Sequence, residues 1–170
     1  MNVKNRKFTI AQLEIRKLIT SDLLYILVFF LALVYYFSIP SYKPKDAEKV
    51  SAYIAFGASF LTIFCPFGLR FRNIYFSLIW LVLCTAHLVG AEAFAEVPIL
   101  CFLAYHSVRL LFWKIYKREF IPYEVGEGSM TRYISFFEGR GGNKQDKTFT
   151  FILLILGISI MILSFFRLSQ

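Results

Sequence analysis

Two histidines and one arginine are the residues that could do chemistry inside otherwise apolar stretches of this chain. His87 lies in the apolar segment 73–91, and His106 and Arg109 lie in the apolar segment 97–113. If these segments cross a membrane, a charge within them is costly and marks a candidate path for an ion, a proton or a substrate. The three residues are therefore a candidate polar path.

The spacing of Arg109 offers a second interpretation. His106, Arg109 and Trp113 follow each other at i, i+3 and i+7, which places them on one face of a helix. A long arginine side chain near a helix end can reach the membrane interface and stack on an aromatic ring. The sequence favours this structural role for Arg109, stacked on Trp113, over the polar path.

A metal site is a weaker candidate. The segments 73–91 and 97–113 are predicted to form a hairpin that turns near residue 94, so His87 and Cys101 lie at similar depth, with Cys84 one turn away. Thiolate and imidazole ligands suit a soft metal such as copper. No CxxC or HxxxH motif accompanies them, so a histidine that hydrogen-bonds between helices is the favoured interpretation. A haem between His87 and His106 is weaker still, because the two differ in depth by about 7 Å. We expect no cofactor.

The segment FFEGRGGNKQDKTF, residues 136–149, resembles a phosphate-binding loop at first sight. That motif requires GxxxxGK[ST] after a strand, and the Gly-Lys-Ser/Thr ending is missing here. The glycines instead indicate a turn at which the chain re-enters a membrane. The basic residues around it are candidates for contact with anionic lipid headgroups or with a partner protein. They are Arg132, Arg140, Lys144 and Lys147.

Composition indicates the solvent in which these residues lie. The chain has 170 residues, of which 58% are hydrophobic and 19% aromatic, whereas soluble domains have about 45–50% apolar residues. The net charge of +8 could suggest a nucleic-acid partner, but the basic residues lie between apolar segments and are typical of topology signals. The sequence therefore predicts a membrane protein that contacts the lipid bilayer and no nucleic acid.

Five apolar segments approach the ~17–25 residues that a helix needs to cross a bilayer. They are residues 22–40, 51–69, 73–91, 97–113 and 148–166. The predicted fold is an all-α membrane protein, a five-transmembrane-helix bundle with an N-terminal amphipathic helix and a short interfacial helix before the last span. We expect the first span to remain in the mature protein as a signal anchor.

The chain divides into four parts on this interpretation. Residues 1–21 carry apolar side chains at helical spacing between basic ones, which predicts an amphipathic helix at the cytoplasmic interface. Residues 22–113 form a four-helix up-down bundle. Residues 114–147 form a basic interfacial segment containing the short helix SMTRYISFFE, and residues 148–170 form the fifth span and a short tail.

The distribution of basic residues predicts the orientation. With the N-terminus inside, fourteen Lys and Arg lie on the cytoplasmic side and four on the other, and Arg109, within a span, completes the total of 19. The positive-inside rule therefore favours a cytoplasmic N-terminus, an external C-terminus and a location in the cell inner membrane.

The function hypotheses rest on what these segments offer. The sequence has no Gly-x-Ser-x-Gly elbow, no HExxH helix and no pair of carboxylates on one buried face, so we predict a protein that is not an enzyme. The leading hypothesis is a subunit or scaffold of a larger membrane assembly that binds other membrane proteins. The alternatives are a small homo-oligomeric transporter or channel, and a membrane redox or metal-binding protein.

Overall fold

The computed structural model describes residues 7–8, 13–39, 42–64, 70–90, 94–118, 120–122 and 143–168. These residues form five helices and one short strand pair. The helices are α1 (Thr20–Ser38), α2 (Pro44–Phe64), α3 (Ile74–Val89), α4 (Val97–Tyr116) and α5 (Lys144–Leu168). The strands are β1 (Lys7–Phe8) and β2 (Glu14–Ile15).

Each apolar segment of the sequence overlaps one of the five helices, which confirms the all-helical prediction. Three helices, α1, α4 and α5, are long and apolar enough to cross a membrane, and they support a membrane location. The helix α3 is apolar but has only 16 residues. The helix α2 begins seven residues before the predicted segment, and its first two turns carry four charged residues. They are Lys45, Asp46, Glu48 and Lys49.

The prediction of an N-terminal amphipathic helix is wrong for the described residues. Strand β1 pairs with β2 in antiparallel fashion, with Lys7 opposite Ile15 and Phe8 opposite Glu14. Residues 16–19 are not helical, and α1 begins only at Thr20. The physical reason is a tertiary contact, since the Glu14 backbone N–H donates to the Arg72 carbonyl at 2.7 Å. Such pairing outweighs the weak local preference that the apolar spacing expresses.

Two predicted features fall partly or wholly beyond the described residues. The interfacial helix at 129–138 lies outside them, as do Arg132, Arg140 and the three glycines of the turn. The last helix begins at Lys144, four residues earlier than the predicted segment, so Lys144 and Lys147 belong to its first turn.

The charged contacts define the two ends of the bundle. The start of α1 meets the turn before α3 through Asp22 and Arg70, and the end of α4 meets the start of α5 through Arg118 and Asp146. At the other end, Arg167 lies 3.5 Å from Glu96, which joins the end of α5 to the start of α4. The helices α1, α3 and α5 therefore run in one direction and α4 in the other. We call the end that contains Arg70 and Arg118 the arginine end.

An aromatic cluster fills the core between this end and the middle of the bundle. Phe71, in the turn before α3, is fully buried, and its ring centroid lies within 5.8 Å of four other rings. These rings belong to Phe76, Trp80, Phe102 and Tyr105. A loop residue thus inserts into the core, and it fixes the turn 70–73 against α3 and α4.

Candidate functional site

The first group of polar residues is a buried network at the arginine end, centred on Asp22. Asp22 is fully buried, although it lies in the first turn of α1. One carboxylate oxygen accepts a hydrogen bond from Arg70 Nη1 at 2.5 Å, and the other accepts the Ile19 backbone N–H at 3.2 Å. The same Arg70 nitrogen donates to Ser21 Oγ at 2.9 Å. Asp22 therefore both caps α1 and binds the turn that precedes α3.

Glu14 forms the second half of this network. Its carboxylate lies 3.0 Å from Arg72 Nη2 and 3.4 Å from Arg16 Nε. Arg16 also reaches Asp22, with 3.5 Å between Nη1 and Oδ2, so it links the two carboxylates. Three guanidinium groups thus surround two carboxylates, which leaves an excess positive charge among the described residues of the cluster.

Asn73 connects the backbone of the two segments. It is fully buried, its side-chain oxygen accepts the Tyr75 N–H at 3.1 Å, and its side-chain nitrogen donates to the Arg16 carbonyl at 3.2 Å. The first of these bonds caps α3, and the second holds the segment that leads into α1. Residues 13–22 and 70–73 are therefore joined by both ion pairs and backbone contacts.

Sequence reasoning did not find this network. The sequence treats the basic residues between apolar segments as topology signals, whereas Arg70 and Arg72 are 7% and 3% exposed. A signal was present, because Glu14 and Asp22 are the only carboxylates among the first forty residues, in a strongly basic segment. Phe71 between two arginines also indicates that one side of the turn is buried.

A second group of polar contacts at the same end is centred on Asp146. Its fully buried carboxylate lies 2.8 Å from Arg118 Nη2, and it accepts the backbone N–H groups of Ile121 at 3.0 Å and of Asn143 at 2.7 Å. The Arg118 guanidinium also lies 4.7 Å from the centre of the Phe112 ring. Asp146 therefore caps α5 and fastens it to the chain that leaves α4.

The structure separates the three residues of the candidate polar path. His106 lies nine residues from the start of α4 and His87 two residues from the end of α3, so they differ in depth by about 10 Å. His106 contacts the rings of Phe71, Phe102 and Tyr105. His106 and Arg109 share one helix, but His87 does not join them.

Arg109 differs from its predicted position at the interface. It is 2% exposed, because α4 packs between α2 and α5 and this face meets protein. Lys117 lies over the Trp113 ring, with its Nζ 5.3 Å from the ring centre. The helix thus carries a buried arginine about 10 Å from its end.

His87 instead forms a contact between three helices. Its Nε2 lies 3.0 Å from Ser51 Oγ on α2, and its ring meets the edge of Tyr36 on α1 at 5.7 Å between centroids. All three residues are buried. This geometry matches the favoured interpretation of a histidine that hydrogen-bonds between helices.

The candidate metal ligands are also placed. Cys84 and Cys101 are buried free thiols. Within the described ranges, which include both of them and His87, no three His, Cys, Asp or Glu residues lie close enough together to hold a metal ion.

Comparison with protein-family models, curated proteins and solved structures finds no match to this chain.

Proposed function

We propose that this chain is a non-catalytic multi-pass membrane protein that serves as a subunit or scaffold of a larger assembly in the cell inner membrane. In this proposal all five helices cross the bilayer, with the N-terminus in the cytoplasm and the C-terminus outside. The charge distribution supports that orientation, and the direction of α1, α3, α4 and α5 in the bundle is consistent with it.

The observation that carries the proposal is the network between residues 13–22 and 70–73. Buried ion pairs contribute little net stability compared with apolar residues, but they fix one geometry. Here they fix a loop and an N-terminal segment at the end of the bundle that this proposal assigns to the cytoplasm. A rigid surface next to the membrane, on which Lys17 is exposed, suits binding to another protein, since it loses little conformational entropy on association.

Crosslinking tests the subunit proposal. A photo-reactive amino acid placed at Lys17, which is exposed on this surface, should crosslink to a defined membrane protein in native membranes. The matched control is the same amino acid at Tyr42, which is 78% exposed near the opposite end of the bundle. Crosslinks of equal kind and yield from both positions, or a monomer without partners after purification in mild detergent, would contradict the proposal.

Cysteine labelling tests the topology. Replacing Cys65, Cys84 and Cys101 by serine or alanine and introducing one cysteine at Lys17 or at Lys43 gives two reporters at opposite ends of the bundle. An impermeant maleimide added to intact cells should label the Lys43 position and not the Lys17 position. Labelling at both positions or at Lys17 alone would overturn the orientation.

A second candidate function is transport, and the burial of Arg109 favours it. An arginine buried within a span, one turn from His106, is a candidate for a functional role in itself. Reconstituted protein would then carry anions or protons across liposomes, and Arg109→Gln would abolish that flux. The exposed Arg167 supplies the control, because Arg167→Gln should leave flux unchanged. Equal flux in both variants would exclude this path.

A further inference from the structure

A groove opens between α1 and α2 on the apolar flank of the bundle. It has a volume of about 270 Å³, and its walls are Val28 and Ala32 on α1 and Gly57 and Leu61 on α2, with Trp80 of α3 among the lining residues. A Cβ added at Gly57 would meet no atom within 4 Å, so the glycine leaves the groove wide. The volume is close to the lower limit for pockets that bind small molecules.

The distance of the groove from the arginine end shows how deep it would lie in a bilayer. On α1 it extends from Tyr25 to Ala32, which lie about 8 and 18 Å from the first residue of the helix at the arginine end. Trp80 lies about 9 Å from the start of α3 at the same end. A bilayer has about 30 Å of hydrocarbon, so the groove begins in the half that adjoins the arginine end and ends near the middle of the bilayer.

The basic residues at one end of the groove indicate what kind of molecule the groove suits. The guanidinium of Arg70 lies 4.8 Å from the centre of the Tyr25 ring, so the basic network begins where the groove ends. Among the described residues of this network, three arginines face two carboxylates, and Lys17 is exposed on the segment that enters α1. An apolar groove that ends at a net positive cluster is complementary to a lipid with an acyl chain and an anionic headgroup.

We propose that an anionic phospholipid of this leaflet occupies the groove, with one acyl chain between α1 and α2 and its phosphate near Lys17 and Arg16. The site requires only that the bundle lies in a membrane. It shares Lys17 with the surface proposed above to bind a protein, but it does not require that partner.

Tryptophan fluorescence tests this site in the full chain. The protein has two tryptophans, so Trp113→Phe leaves Trp80 as the only one. Phosphatidylglycerol brominated near the middle of its acyl chain should quench Trp80 at several-fold lower mole fraction than phosphatidylcholine brominated at the same carbons. Lys17→Gln should reduce that preference about fivefold. Gly57→Leu should reduce quenching by both lipids, because the leucine fills the groove.

Thr85→Leu supplies the matched control, because Thr85 is exposed on α3 and does not line the groove. It should leave quenching unchanged. Equal quenching by both brominated lipids would overturn the headgroup site. An unquenched Trp80 in a chain that migrates as a dimer would show that a second copy covers the groove, and would overturn the acyl-chain site. If the photo-reactive residue at position 17 formed no crosslink while Trp80 still showed the preference for the anionic lipid, the protein partner would be contradicted and the lipid site would stand.

Discussion

Arg118 Nη2 lies 2.8 Å from Asp146 Oδ2, although the two residues are 28 positions apart in the sequence. The chain therefore leaves the end of α4 and returns to the start of α5 at nearly the same point. The same carboxylate accepts the backbone N–H groups of Ile121 and Asn143, so one side chain holds together the end of α4 and the start of α5.

Removing this carboxylate should loosen the junction. Asp146→Ala deletes the ion pair with Arg118 and leaves the backbone N–H groups of Ile121 and Asn143 without their acceptor. We expect the free energy of unfolding in mixed micelles to fall by about 3 kcal/mol. The control is Asp46→Ala at an exposed position in the first turn of α2, which should change stability by less than about 1 kcal/mol.

A double-mutant cycle should reveal strong coupling between Asp22 and Arg70. Each single change, Asp22→Asn or Arg70→Met, removes the shortest ion pair of a buried network in which Arg16 remains near Asp22, and should cost about 3 kcal/mol. The double variant should cost less than the sum by about 1–3 kcal/mol. The exposed pair Glu96 and Arg167 should show coupling below about 1 kcal/mol. Additive effects for Asp22 and Arg70 would contradict the direct ion pair.

Two buried serines on α2 should respond differently to the same substitution. Ser51→Ala removes the hydrogen-bond partner of His87 Nε2 and should lower the free energy of unfolding by about 1–3 kcal/mol. Ser59 is equally buried, but its hydroxyl lies against the Cys101 thiol, which is a weak hydrogen-bond partner, so Ser59→Ala should be nearly neutral. Thermal unfolding of both variants in one detergent measures the difference. Equal destabilisation would mean that His87 does not depend on Ser51.

Replacement by alanine should have opposite effects on stability at two helical glycines, Gly157 and Gly57. At Gly157 of α5 a Cβ would overlap the Ile63 side chain of α2, so Gly157→Ala should lower the melting temperature unless Ile63 is shortened. At Gly57 the space is open, and Gly57→Ala should raise stability by up to about 1 kcal/mol through helix propensity. Ile63→Ala combined with Gly157→Ala should recover part of the loss. A stabilising Gly157→Ala would show that α2 and α5 do not pack closely at this point.

The sequence predicts the helices better than the site because the two depend on different information. Apolar segments must be buried in lipid or protein, so their length and position are visible in the chain itself. The partner of a buried charge is selected by the tertiary fold, and nothing local indicates that Arg70 binds Asp22 or that Arg72 binds Glu14. The same reason explains Arg109, because its burial depends on α4 lying between α2 and α5.

The prediction of an N-terminal amphipathic helix is wrong for a related reason. Apolar residues at i, i+3 and i+4 favour a helix only when no tertiary contact competes. Here the bond from Glu14 to the Arg72 carbonyl and the contact between Asn73 and Arg16 hold the chain extended. A basic, amphipathic pattern therefore belongs to a segment that packs against the protein through its backbone.

The pairing of Asp22 with Arg70 also sets an order of assembly. Asp22 is synthesised with α1, and its partner follows 48 residues later. At about 5–20 residues per second, α1 waits roughly 2–10 seconds for that arginine to leave the ribosome. During this interval Arg16, which is made before Asp22, is the arginine of this network that can already pair with the carboxylate. The contact between the start of α1 and the turn before α3 can therefore form only after that turn has been made, so the first helix is joined to the third late in synthesis.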